Sequence, residues 1–388
     1  MSITTAPRAR RVFAAAAAVA GLLTLAAQLP DGGSSPAPAA APARADHHHA
    51  VGEPGRTTVA PPPLDPRTVP VAFVAGPQRS GAKGDAPLDV CLVLGRPEKE
   101  RTVKLPPAAA ERLYRTTRSY PGPCADYGPP KRLGDGTVRI YSQLAGDRPV
   151  SLGFVLDRRA LGGLPTEPTD GAHCYDVDGD GTTDPATECV HEHEYLLDLP
   201  QRFRDVVGGP FQWAMLNWDP RGHAPAAIYG APHFDLHFYL QDRAETAAIG
   251  TGPCGGGNLV DCADYAEARL PVPARYLPAD YLDIDAVVPG MGNHLGDPTA
   301  PEFNGQPFTH TFMYGAYGGD ITFYEPMITR AWLADLAAGR VEPSCRPLKL
   351  PAAWKEAGWY PTSYCMSYRA NRQEVTVSLT DFVSRPAS

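Results

Sequence analysis

The chain has 388 residues, 43% hydrophobic and 20% charged, with 38 Gly, 43 Pro, 8 Cys and a formal net charge of −8. Without its first 45 residues the charge moves to about −11, which excludes a nucleic-acid binder needing a basic face for phosphates and argues against docking on an anionic membrane. No repeat of about 20–50 residues recurs, so a solenoid is excluded, and the length suffices for a sizeable core.

In chain order, Arg8, Arg10 and Arg11 precede an apolar run from Val12 to Leu29. A basic segment followed by such a run reads as an export signal. Ala43-Arg44-Ala45 supplies a cleavage site, with an earlier cut near Ala27 as the alternative and an uncleaved anchor as the rival. Arg10-Arg11-Val12-Phe13 matches the core of a twin-arginine signal. Residues 1–45 are therefore assigned to the signal and 46–66, rich in Pro and Ala, to a disordered spacer. His47-His48-His49 lies in that spacer, where a cut after Ala45 would put His48 third from a free amino terminus, a Cu(II)-binding arrangement. Beyond residue 30 no apolar stretch is long enough to span a bilayer. The mature protein is expected to be secreted or extracytoplasmic, with no membrane insertion once the signal is removed.

Residues 67–388 are read as one β-rich domain, barrel- or sandwich-like, mainly β or α+β with a few short helices. Strands are expected at Pro70–Val74, Leu88–Leu94, Thr137–Gln143, Val150–Leu156, Phe211–Asn217, His233–Leu240, Thr309–Tyr314, Asp320–Tyr324, Tyr364–Tyr368 and Glu374–Leu379. Helical periodicity is confined to Ala108–Arg115, Arg202–Val207, Arg243–Ile249 and Thr329–Ala338. Ala145-Gly146-Asp147 and Gly318-Gly319 mark two hairpins. An even cysteine count on an exported chain favours disulfides. Short loops suggest Cys174–Cys189, Cys254–Cys262 and Cys345–Cys365, leaving Cys91–Cys124 by elimination.

Within 174–189, an insertion of its own, Asp176, Asp178, Asp180, Gly181, Thr182 and Asp184 follow the spacing of a calcium loop. Carboxylates at its first, third and fifth positions and the carbonyl of the seventh supply oxygens. Position twelve is Thr187, and Glu188 stands one residue late. Ca²⁺ in a structural role is expected there, after the loops of dockerin-type and thrombospondin-type modules that the spacing resembles.

The sharpest chemistry lies in His233-Phe234-Asp235-Leu236-His237-Phe238-Tyr239. In a strand, alternate side chains share a face, so His233, Asp235 and His237 project together while Phe234, Leu236 and Phe238 line the other side. Two imidazoles and a carboxylate suit Zn, Fe or Mn. His223, His294, His310 and Glu325 are candidates to complete or orient that set. A metal-free polar pocket, in which Asp235 orients a histidine base, competes with it. His191-Glu192-His193-Glu194 is charged on both faces and reads as a solvated edge. No G-x-S-x-G occurs, so no α/β-hydrolase nucleophile is indicated. Gly250, Gly252 and Gly255 are explained by the Cys254–Cys262 loop.

Taken together, Asp135-Gly136-Thr137 with Pro149–Gly153, then Asn217–His223, Pro232–Tyr239, Val288–His294, Thr309–Gly315 and Phe323–Thr329 resemble the TTHB210-like family of uncharacterised exported bacterial proteins, over residues 135 to 380. The resemblance implies organisation, not a reaction. Pro289–His294 and His233–His237 are also similar to the second and first cupin motifs, with three residues between the two histidines where a cupin has one.

Two functions follow as expectations. One is an exported protein with a mononuclear His/Asp metal or polar site around His233, Asp235 and His237, open to a small-molecule ligand. The other is a non-catalytic structural or ligand-binding protein of the cell envelope with a structural calcium loop. A homo-oligomer is compatible with either.

Overall fold

A computed structural model describes residues 86–254 and 259–388. The export signal, the spacer with His47–His49, the expected strand Pro70–Val74 and Gly255 lie outside the described residues. Two antiparallel seven-stranded sheets dominate. The first runs, from edge to edge, Leu282–Val288, Gly292–Gly296, His310–Tyr317, Asp320–Thr329, His233–Tyr239, Trp213–Asp219 and His193–Asp198. The second runs Ser344–Pro347, Ser363–Arg369, Glu374–Thr380, Arg148–Asp157, Gly136–Ala145 and Ala125–Tyr127, with Lys131–Leu133 also on Gly136–Ala145.

The alternation in these strands decides how the sheets meet. Ala214, Leu216, Trp218, Phe234, Leu236, Phe238, Tyr314 and Tyr324 of the first sheet share a buried core with Ile140, Leu152, Phe154, Val377 and Leu379 of the second. Phe154 and Phe238 meet edge-to-face with ring centroids 5.0 Å apart. The two sheets pack as a β-sandwich, one of the two arrangements, barrel or sandwich, that the strand-rich pattern left open. Both hairpins form where the glycines mark them, Gly318 and Gly319 adopting φ of 60° and 76° as a primed turn requires. The strands Leu282–Val288, Gly292–Gly296 and His193–Asp198 were not evident in the sequence, being short, Gly-containing or charged.

The four disulfides pair as the short loops suggest: Cys91–Cys124, Cys174–Cys189, Cys254–Cys262 and Cys345–Cys365. Among the described residues no helix is long and apolar enough to cross a membrane. Because Phe238 is fully buried between the sheets, Phe238→Ala should lower unfolding stability by about 3–5 kcal/mol in a urea titration. A loss under about 1 kcal/mol would contradict an interdigitated core at this point.

Candidate metal centre

With its apolar side chains committed to the core, the first sheet turns its other face to a second layer. There His233, Asp235 and His237 project from the interior strand His233–Tyr239 as the period of two demands. Antiparallel pairing sets Asn217 beside Asp235, Asp219 beside His233, and Met327 on the other flank of Asp235. His294 comes from Gly292–Gly296 and Glu325 from Asp320–Thr329. His223 arrives from outside the sheet. The chain reverses after Asp219 through Gly222 at φ 65°, where a Cβ would fall 2.0 Å from the Tyr229 carbonyl. Only glycine fits that turn, and the turn swings His223 back over Asp235.

The side chains gather in two groups instead of the single one anticipated. In the deeper group, His237 Nε2 and His294 Nε2 each lie 3.6 Å from an oxygen of Glu325. In the other, Asp235 Oδ1 is 3.3 Å from His233 Nε2 and Oδ2 is 3.4 Å from His223 Nε2. Within each group one donor atom per residue lies within 4.8 Å of the others. Both groups border one cavity of about 270 Å³, which His223, Asp235, His237, His294 and Glu325 line together with Asp219 and Glu192. Phe323 walls the deeper group, its ring 4.8 Å from His237 and 5.2 Å from His294. Gly315 permits this, since a Cβ there would strike the Phe323 ring.

Tautomers decide what these contacts mean. His233, His223 and His294 each place Nδ1 on a backbone carbonyl, those of Ala231, Ala224 and Ala286, at 2.7, 2.9 and 2.8 Å. A carbonyl only accepts, so Nδ1 carries the proton, and in the neutral ring Nε2 presents a lone pair. Each of those Nε2 atoms faces a carboxylate oxygen, so a proton or a cation must join the two, and ligands about 2.0–2.1 Å from a tetrahedral zinc stand about 3.3–3.4 Å apart. Among the described residues, His233 Nε2, Asp235 Oδ1, His237 Nε2 and Glu325 Oε2 are buried without a hydrogen-bond partner.

Burial dominates the electrostatics. It pushes Glu325 and Glu192 well above the usual carboxylate range, helped by neighbouring acids, and lifts Asp219 to about 7 with help from Asp235. Burial likewise lowers His237 to about 3, with His294 adding to it, and His294 to about 4. Burial opposes charge on His233 too, but the Asp235 carboxylate outweighs it and lifts the imidazole to about 9. Asp235 is held below its ordinary value because His233 and His223 overcome the same burial cost.

His310 does not join either group. Its ring packs on Trp332 at 5.0 Å, and burial, then Arg346, lowers it to about 4. The reason is a bulge. Counting back from Gly318-Gly319 would place Phe312 opposite Glu325 and His310 on the Glu325 face. The register shifts at Gly315/Ala316, so Met313 faces Glu325 and His310 pairs with Ile328 on the core side. The solvated-edge reading of His191–Glu194 also needs correction. His193–Asp198 is an edge strand, but the segment ahead of Cys174 lies along it, Asp170 Oδ2 accepting from the Glu194 N–H at 2.8 Å and the Glu167 carbonyl meeting His193 Nε2 at 2.8 Å. Glu192 is buried at the cavity and Glu194 pairs with His173 at 3.0 Å. Asp219, Asn217 and Glu192 were missed as site residues. Polar Asn217 and Asp219 on the otherwise apolar Trp213–Asp219 strand are the signal that could have revealed two of them.

The calcium-type loop closes on Glu188. Its Oε1 accepts N–H bonds from Val177 and Asp178 at 2.7 and 3.2 Å, and its Oε2 accepts from Asp184 at 2.9 Å. Donor oxygens of Asp176, Asp178 and Glu188 come within 4.8 Å of one another. Asp180 instead accepts from the Thr182 N–H and hydroxyl, and Asp184 from the Ala186 N–H and the Thr187 hydroxyl. Asp180, Thr182 and Asp184 are thus not brought into that set, and Glu188 enters it. Ala186, Thr187 and Cys189, at the end of this loop, line the cavity.

No family model, curated protein or solved structure matches the chain. Functional assignment therefore rests on the site's own chemistry.

Metal ligands must be deprotonated. Titrating Zn²⁺ into metal-free protein at pH 7 should therefore release protons, chiefly from His233 and Glu325, seen as a dependence of the calorimetric heat on buffer ionisation enthalpy. The His233 share should vanish as pH rises through about 9, where the imidazole is already neutral. Heat independent of buffer at pH 7 would count against these ligands.

Proposed function

We propose that this chain is an exported protein that holds a divalent transition metal, Zn, Fe or Mn, at His237, His294 and Glu325, beside a cavity that admits a small molecule. The observation that supports it most is the set of buried Nε2 and carboxylate oxygens facing one another at 3.6 Å. Two imidazoles and one carboxylate leave coordination positions open, as in catalytic zinc and non-haem iron sites. The open side faces the cavity, where a metal-bound water would be activated toward a small-molecule substrate. Export is supported by the four disulfides, which suit an oxidising compartment.

The loop at Asp176, Asp178 and Glu188 is assigned to structural Ca²⁺. Its tie to residues 186–189 gives that ion a role in shaping the cavity wall.

Protein purified without a tag should carry transition metal in at least equimolar amount by elemental analysis. His237→Ala should lose metal, while His310→Ala should retain it. Metal-free wild-type protein, or equal content in His237→Ala, would contradict the assignment. Ca²⁺ at about 100 times its Kd should add about 2.7 kcal/mol to stability by mass action, seen as a raised Tm that Asp176→Asn abolishes. No shift with Ca²⁺ would remove calcium from the account.

A further inference from the structure

We infer that the cavity holds two divalent transition cations, the second bound by His223, His233 and Asp235. This extends the metal reading above and depends on it. Three observations carry it.

The first is the repetition of one donor set. Each group offers two imidazoles and a carboxylate, and the second closes at 3.3 and 3.4 Å, against 3.6 Å for the deeper one. The second is preset orientation. His223 and His233 give Nδ1–H to the carbonyls of Ala224 and Ala231, so both aim Nε2 at opposite oxygens of one carboxylate. Metal-binding histidines are commonly fixed in this way by a carbonyl on the other ring nitrogen. His233 is fully buried, and neither its Nε2 nor Asp235 Oδ1 has a hydrogen-bond partner among the described residues.

The third observation is charge. Asp219, Asp235, Glu192 and Glu325 are all buried and all line the cavity, and no lysine or arginine does. Once metal binding displaces their protons, four carboxyl groups match the charge of two divalent cations. Asp219, beside His233 in the register, is placed to supplement the second ion.

The test is zinc stoichiometry of the untagged, disulfide-intact protein, stripped with chelator and reloaded with Zn²⁺ in saturating Ca²⁺. Any zinc on His47–His49 is common to all variants and cancels. His223→Ala and His294→Ala should each bind one zinc fewer than wild type, and the double variant two fewer. The zinc kept by each single variant reports that the fold survives. If His223→Ala binds as much as wild type, or the double variant loses only one, the second ion is wrong while the deeper one stands. If no variant loses zinc, both readings fall.

Discussion

In the neutral state three imidazoles of this protein place their one proton on a backbone carbonyl and turn a lone pair toward a carboxylate, His233 and His294 buried and His223 partly exposed. Everything about the site follows from that mismatch. In solvent it would be relieved by hydration; inside the cavity it can be relieved only by a proton or a metal ion. Separations of 3.3–3.6 Å are long for a charge-assisted hydrogen bond, which closes to about 2.7–2.9 Å. They match the spacing of ligands around a small cation.

The sandwich makes this arrangement affordable. One face of the His233–Tyr239 strand contributes Phe234, Leu236 and Phe238 to a core shared by both sheets, so its register is fixed by apolar packing. The opposite face is then free to carry groups that would destabilise a less well-anchored strand. The surrounding face is not uniformly polar. Trp213, Met215, Tyr239, Met291 and Phe323 cluster at one end, and Tyr229, Phe308, Met313 and Met327 at another. These apolar flanks keep the charged groups dry and so sharpen every electrostatic interaction between them.

Much of this was legible in the sequence, because it depends on a period of two. The His233–Tyr239 strand, its two unlike faces, both glycine-marked hairpins and all four disulfides follow from local pattern and short loops. What failed to show depends on geometry that pattern does not encode. A one-residue bulge at Gly315/Ala316 turned His310 away from the cavity, onto Trp332, and left Glu325 facing Met313. The split of one expected site into two arises because His223 reaches Asp235 only through the tight turn at Gly222. Glu192 looked solvated because nothing local announces that residues 167–173 pack alongside it and the strand that follows. Glu188, one position late for a calcium loop, still reaches inward, anchored by three backbone N–H groups.

The loop and the cavity are structurally continuous, since residues 186–192 pass from one to the other. Order in the acidic loop thereby sets the shape of the wall above the metal ligands. Anomalous diffraction at the zinc edge, on crystals of protein loaded with Zn²⁺, reads the decisive feature directly. The account predicts a strong peak about 2.1 Å from Nε2 of both His237 and His294. An anomalous map without a peak in this cavity, with the carboxylates instead hydrogen-bonded to ordered water or to one another, would contradict it.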